Sequence, residues 1–118
     1  MAKIAVVLLA DNESHGDMGR VANALELAKE SKEQGDDVRF VFDGAGTRWV
    51  GPLSDSEHML HPVYEAIEDT VTGACAFCAN AFEVKEEVQD AGVKLIQDYE
   101  GHPSLRSLIA DGFSVVTF

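Results

Sequence analysis

The chain has 118 residues, 46% hydrophobic and 25% charged, an ordinary globular mix that suits one domain with one modest core. Nine Lys and Arg stand against 21 Asp and Glu, a formal charge of −12. That balance argues against a nucleic-acid backbone or an anionic membrane surface as partner, and it fits a heavily solvated surface suited to high salt.

The opening `MAKIAVVLLADNES` carries one Lys and an apolar run confined to residues 4–10, with acidic residues directly behind it. That run is too short for a membrane span and lacks the cleavage region of a signal peptide, so a cytoplasmic, reducing location is expected. In such a compartment two cysteines serve more often as reactive or metal-binding groups than as a structural disulfide.

`KIAVVLL`, residues 3–9, is continuously apolar and reads as a strand buried on both faces of a parallel sheet. `ADNESHGD` breaks it. A helix is expected from about Asp17, with Asp17 as its N-cap and Met18, Val21, Ala22, Leu25 and Ala28 at helical spacing. Lys29, Lys32 and Gly35 mark its end. `DVRFVF`, residues 37–42, is the second expected strand, and residues 43–57 read as a glycine-bearing loop. Its `DGAGT` follows the second strand and lacks the pattern that cradles a pyrophosphate, so the glycines read as turn-formers.

A helix with Leu60, Val63, Tyr64 and Ile67 on one side follows, with Pro62 in its first turn. `VTGACAF`, residues 71–77, is the third expected strand, and the helix after it presents Ala81, Val84 and Val88 and stops before Gly92. `VKLI`, residues 93–96, is the fourth strand; a short helix is expected near residues 103–111 and a last strand at residues 113–118. The alternation predicts a small doubly wound α/β fold: a mostly parallel five-stranded sheet with helices on both faces, residues 1–118 forming a single domain. The loops after the first four strands then share the sheet's carboxyl edge, where ligand sites of such sheets form near a reversal of strand order. They hold Asp11–Asp17, Asp43–Asp55, the cysteine pair and Gln97–His102.

The only cysteines are Cys75, at the end of the third strand, and Cys78, in the first turn of the following helix. Free N–H groups and the positive end of the helix dipole favour a thiolate there, so a lowered thiol pKa is expected. The C-x-x-C spacing lets the two sulfurs exchange a disulfide or pass a sulfur atom. On the residues alone four readings stay open: a sulfur-carrying nucleophile, a dithiol/disulfide couple, half of a zinc site, or two small buried core residues. The zinc reading recruits His58 and His61 of `EHMLH` to make a Cys₂His₂ set; otherwise both belong to a solvated helix start.

A thioredoxin-like reading is weakened because the pair follows the third strand rather than the first. Supporting groups at the same edge are His15 of `SHGD`, His61, and Tyr99 and His102 from the fourth loop. Arg48 beside Trp49 offers either a local positive charge in an acidic chain or an interface anchor. Phe77 and Phe82 flank the cysteine helix as core or interface residues.

The early `KIAVVLLADN` strand, the third-strand cysteine at the head of a helix and the closing `GFSVVTF` together resemble the DsrE/DsrF-like family over most of the chain. That family includes YchN-type proteins and TusD-like sulfur-relay proteins. The resemblance implies a small doubly wound fold that assembles as a homo-oligomer, a trimer or hexamer. Sulfur-relay members hold a persulfide on a cysteine after the third strand, which corresponds to Cys75. Cys78 corresponds to a second cysteine of several members that TusD lacks, and it points to disulfide chemistry or to resolving the persulfide. The implied function is sulfur relay without a cofactor: Cys75 takes the outer sulfur of a donor persulfide and hands it to an acceptor cysteine of a partner protein. The alternative is a non-enzymatic oligomeric α/β protein whose CxxC pair is redox-responsive or binds zinc.

Overall fold

The computed structural model describes residues Met1–Phe118. Two strands, β1 (Lys3–Leu8) and β2 (Asp37–Phe42), lie inside the sheet and bury most of their residues. They pair in parallel from Lys3↔Asp37 to Leu8↔Phe42. β3 (Val71–Cys75) adds outside β2, β4 (Leu95–Ile96) outside β3, and β5 (Ser114–Thr117) on the other side of β1. The resulting order is β4-β3-β2-β1-β5, parallel throughout, so strand order reverses between β1 and β5. This is the doubly wound five-stranded sheet expected from the alternation of strands and helices.

The helices are α1 (His15–Glu33), α2 (Val50–Ser54), α3 (His61–Ile67), α4 (Ala76–Ala81), α5 (Lys85–Asp90) and α6 (Leu105–Ala110). They cover the two faces of the sheet unequally. Side chains alternate along each strand, so Val6, Leu8, Phe40, Phe42 and Ala74 share one face. With Val21 and Leu25 of α1, Tyr64 and Ile67 of α3 and Val88 of α5 they belong to a core of 19 buried residues. Phe40, Phe42 and Tyr64 form an edge-to-face chain with centroids 5.2 and 6.1 Å apart. On the opposite face Val7, Val41 and Ile96 make a cluster of 3 buried residues, covered by Leu105 of α6 and by Val115. No helix is long and apolar enough to cross a membrane.

A register shift separates the two halves of β3. Phe40 pairs with Val71, yet Val41 pairs with Gly73, so Thr72 is an extra residue in the ladder. Gly73 is required by close approach: a Cβ there would lie 2.6 Å from Ile96 Cγ1 and 2.5 Å from Lys94 O. The missing side chain lets β4 close against β3.

Several boundaries differ from expectation, each for a local reason. Ser14, not Asp17, is the N-cap of α1: its hydroxyl accepts the Asp17 N–H at 3.1 Å. Asp17 sits inside the first turn, where its carboxylate takes the Glu13 N–H at 3.2 Å and pairs with Arg20. Residues 43–57 are not a plain loop; Gly44–Trp49 winds into a 3-10 turn that runs into α2. That turn lies tight on β1, since a Cβ on Gly46 would meet Leu8 O at 1.9 Å. Trp49 Nε1 ties it down further by donating to Asp11 O at 2.8 Å. The helix after β3 is broken at Glu83, which takes a left-handed φ of 59°. The break lets Val84 and Val88 both turn into the core. β1, β3 and β4 are shorter than the apolar runs suggested; Leu9 and Phe77 are already exposed.

Gly46→Ala is therefore expected to destabilise the fold by about 3 kcal/mol, seen as a lower urea midpoint. A wild-type midpoint would show that the turn can slide off β1. A second expectation concerns Tyr64, whose hydroxyl is buried without a hydrogen-bond partner in the protein. Burial, then the nearby Glu68 carboxylate, pushes its pKa up from 10.0 to about 12. The neutral phenol is thus favoured by the fold. Stability linked to this group is intact below the unfolded pKa and is lost as pH rises from 10.0 through the folded value of about 12. Tyr64→Phe is expected to gain about 1 kcal/mol at neutral pH and to flatten that alkaline decline in thermal melts across the range. A lower Tm for the variant at neutral pH would contradict it.

Candidate functional site

β3 ends on the buried residues Ala74 and Cys75, and the chain turns into α4 at once. Cys75 consequently takes the N-cap position that a serine or aspartate usually fills: its Sγ accepts the Cys78 N–H at 3.3 Å. Cys75 pairs with Ile96 across the ladder, which puts its side chain on the α6 side of the sheet, where it is 0% exposed. Cys78, in the first turn of α4, is half-buried. Its Sγ lies 3.6 Å from Asp43 Oδ1. Asp43 follows the last residue of β2 and caps the 3-10 turn, accepting the Gly44 N–H at 2.8 Å.

His102 enters from the segment after β4. Tyr99 and His102 exchange two backbone hydrogen bonds, 2.9 and 2.8 Å long. The residues between them, Glu100 and Gly101, both take left-handed φ values of 49° and 84°, as a type I′ turn requires. Gly101 O accepts the Phe77 N–H at 2.9 Å, pinning this turn to the head of α4. The His102 ring packs on Phe77 with centroids 4.7 Å apart, and its Nδ1 sits 3.3 Å from Cys75 Sγ. Donor atoms of Asp43, Cys75, Cys78 and His102 all lie within 4.8 Å of one another.

The expected lowering of the Cys75 pKa is overturned. Burial pushes this thiol up to about 12; the Cys78 N–H pulls it down, while the Cys78 thiol and the Asp43 carboxylate add to the rise. One N–H of a short helix does not offset the loss of water around a thiolate. Cys75 is therefore a protonated thiol at rest.

The other expected site residues lie elsewhere. His58 Nδ1 accepts the Leu60 N–H at 3.0 Å, and its ring stands edge-on to Trp49 at 5.9 Å. His61 Nδ1 is 2.7 Å from Leu53 O, and its Nε2 is 3.6 Å from Glu65. A Cys₂His₂ set with His58 and His61 is thus not assembled: both rings are engaged between α2 and α3, and Asp43 and His102 stand beside the sulfurs instead. His15 is an exposed first residue of α1 outside the cluster. Arg48 is 2.8 Å from Asp11 and 3.4 Å from Glu13 and lies over the Phe82 ring at 6.0 Å. Two carboxylates thus take up its charge.

Asp43 is the residue that sequence reasoning missed: it was placed at the carboxyl edge with the rest of its loop but not singled out as a site residue. The available signal was positional: it is the first residue beyond a strand that neighbours β3, so both residues reach the same sheet edge.

No protein-family model matches the chain. Over 105 residues it is 30% identical to the uncharacterized protein MJ0733 of Methanocaldococcus jannaschii, an alignment covering 89% of this chain and 85% of that protein. Among solved structures it is similar to BT1422, a conserved protein of unknown function from Bacteroides thetaiotaomicron. The TM-score is 0.66 over 97% of this chain and 94% of that one, at 15% identity, a likeness of fold alone.

The unequal exposure of the two sulfurs has a direct readout. In the reduced native protein iodoacetamide is expected to modify Cys78 and spare Cys75 at mildly alkaline pH, with both modified after unfolding, as peptide mass mapping would show. Equal labelling of the two in the native state would mean that Cys75 is reachable.

Proposed function

The chain belongs to the same family as MJ0733 of Methanocaldococcus jannaschii, so its function has to be read from the residues it carries, and we propose that it is a single-domain, redox-responsive dithiol protein. The observation that supports this is one sealed sulfur beside one reachable sulfur: Cys75 is fully buried, Cys78 half-buried, and the two lie within 4.8 Å.

The oxidant in this reading is a disulfide, R–S–S–R′. The Cys78 thiolate attacks one of its sulfurs, forming Cys78–S–S–R and expelling R′S⁻. The Cys75 sulfur then attacks the Cys78 sulfur; the bond to R breaks, RS⁻ leaves, and Cys75 and Cys78 are joined. The pair loses two electrons, and the external disulfide is reduced to two thiols by those electrons and the two cysteine protons. His102 Nδ1, 3.3 Å from Cys75 Sγ, is the group placed to take the Cys75 proton and release it to the leaving thiolate.

A second reading uses the same sulfurs and follows from the resemblance to the DsrE/DsrF-like sulfur-relay proteins. Cys75 would take the outer sulfur of a donor persulfide R–S–S⁻, expel RS⁻ and hold Cys75–S–S⁻ within a homo-oligomer served by donor and acceptor proteins. The Cys78 N–H aimed at Cys75 Sγ at 3.3 Å favours it, being placed to hold added negative charge. Burial of Cys75 in the resting fold weighs against it.

Oxidised glutathione separates the two. Treatment of the reduced protein is expected to yield an internal Cys75–Cys78 disulfide, found by intact mass and peptide mapping. Cys75→Ser should trap a glutathione adduct on Cys78, and His102→Ala should slow ring closure by about 100-fold while leaving adduct formation on Cys78 unchanged. A Cys75→Ser protein that takes up no glutathione would defeat the dithiol reading. A persulfide donor that adds one sulfur atom to Cys75, in a protein that forms no internal disulfide, would establish the second.

A further inference from the structure

The cluster at the sheet edge contains more than a dithiol. Its donors are two sulfurs, one imidazole nitrogen and one carboxylate oxygen, brought from three separate segments: the end of β2, the β3–α4 junction and the turn after β4. We propose that Asp43, Cys75, Cys78 and His102 form a closed, four-coordinate site for zinc that staples these three segments together. The proposal uses the placement of the same two sulfurs as the dithiol reading but requires no oxidation.

The spacing of the donors suits a tetrahedral ion. Zinc bonds of about 2.3 Å to sulfur and about 2.1 Å to nitrogen or oxygen, at tetrahedral angles, give ligand–ligand edges of about 3.6 Å. The observed separations are 3.3 Å from Cys75 Sγ to His102 Nδ1 and 3.6 Å from Cys78 Sγ to Asp43 Oδ1. All four donor atoms fit within 4.8 Å of one another, so small side-chain rotations complete the tetrahedron.

The donor chemistry also suits zinc. Two thiolates and an imidazole suit a borderline-soft ion that tolerates a tetrahedral shell, whereas calcium and magnesium take shells of oxygen, of which this cluster offers one carboxylate. Metal binding displaces the thiol protons, and a divalent cation then offsets most of the charge of two thiolates and a carboxylate.

The donors are, moreover, held in place by their surroundings. Cys75 Sγ accepts the Cys78 N–H, Asp43 accepts the Gly44 N–H, and the His102 ring is fixed by Phe77 and by the backbone clamp between Tyr99 and His102. Four protein donors leave no open coordination position, which is the pattern of a structural or regulatory metal rather than a hydrolytic one. Joining Cys75 to Cys78 would withdraw both sulfur ligands, so the zinc-bound and disulfide states exclude each other.

The test is made in reductant on the whole chain after metal stripping, with Co²⁺ as the spectroscopic probe and Zn²⁺ as competitor. One Co²⁺ per chain is expected, with the intense ligand-field bands of a tetrahedral ion and thiolate-to-cobalt charge transfer, both abolished by stoichiometric Zn²⁺. His102→Ala and Asp43→Asn should each weaken Zn²⁺ binding by about 100-fold, at the upper end of what even indirect metal contacts cost. Far-UV circular dichroism would confirm that each variant folds without metal. The double variant His58→Ala/His61→Ala should bind as the parent does. Absence of a tetrahedral cobalt spectrum overturns the proposal, as does a spectrum and affinity unchanged by His102→Ala and Asp43→Asn. Because no disulfide forms under these conditions, either result leaves the glutathione experiment to judge the dithiol reading independently.

Discussion

The site exists because β2 and β3 are paired in one particular phase. With Phe42 opposite Ala74, the next residues along, Asp43 and Cys75, come level at the carboxyl edge. The extra residue Thr72 sets that phase. Without it Phe42 would sit beside Gly73 and Asp43 beside Ala74, and the sulfur would project one position further on. A one-residue slip also exchanges the faces of a strand, so Cys75 would trade its place beneath α6 for one in the large core. Gly73 completes the constraint by letting β4 approach, which brings the His102 turn within reach of the same corner.

Around that corner the chemistry is governed by contrast between two sulfurs close in sequence. Cys75 is the cap of a short helix and is stripped of water; Cys78 keeps partial access to solvent and faces a carboxylate. Neighbouring charge gives Cys75 no help as an anion, since Asp43 lies beside it and Arg48 is committed to Asp11 and Glu13. A thiolate here has to be generated by removing its proton to a nearby base or to a metal, not by a pre-existing positive field. Both uses of the cluster follow from that one property.

The parts of the fold legible in the sequence were those with a long repeat. A continuous apolar run marked β1, the valine- and phenylalanine-rich `DVRFVF` marked β2, and the helical spacing through Val21, Leu25 and Ala28 marked α1. Short elements carried no such period: the 3-10 turn at Gly44–Trp49 and the break at Glu83 arise from contacts with β1 and with the core. The cysteine pair was visible because its two members are neighbours in sequence. Of its partners, His102 was marked as a supporting group at the same edge while Asp43 was not, because a parallel sheet assembles a site from strand ends that crossovers separate by tens of residues. His58 and His61 attracted attention by sharing a spacing with each other, but spacing along the chain says nothing about which sheet corner they reach.

The two faces of the sheet differ greatly in depth. One carries a core of nineteen buried residues drawn from the strands and from α1 through α5, the other is covered by a six-residue helix that buries none of its own and rests largely on Leu105. Opening is cheapest where the fewest apolar contacts are broken. That shallow face is thus the natural place for the molecule to breathe: α6 can lift from Val7, Val41 and Ile96 while β1 and β2 stay paired. Solvent would then reach this side of the sheet at a frequency set by a single turn-and-a-half of helix, not by global melting.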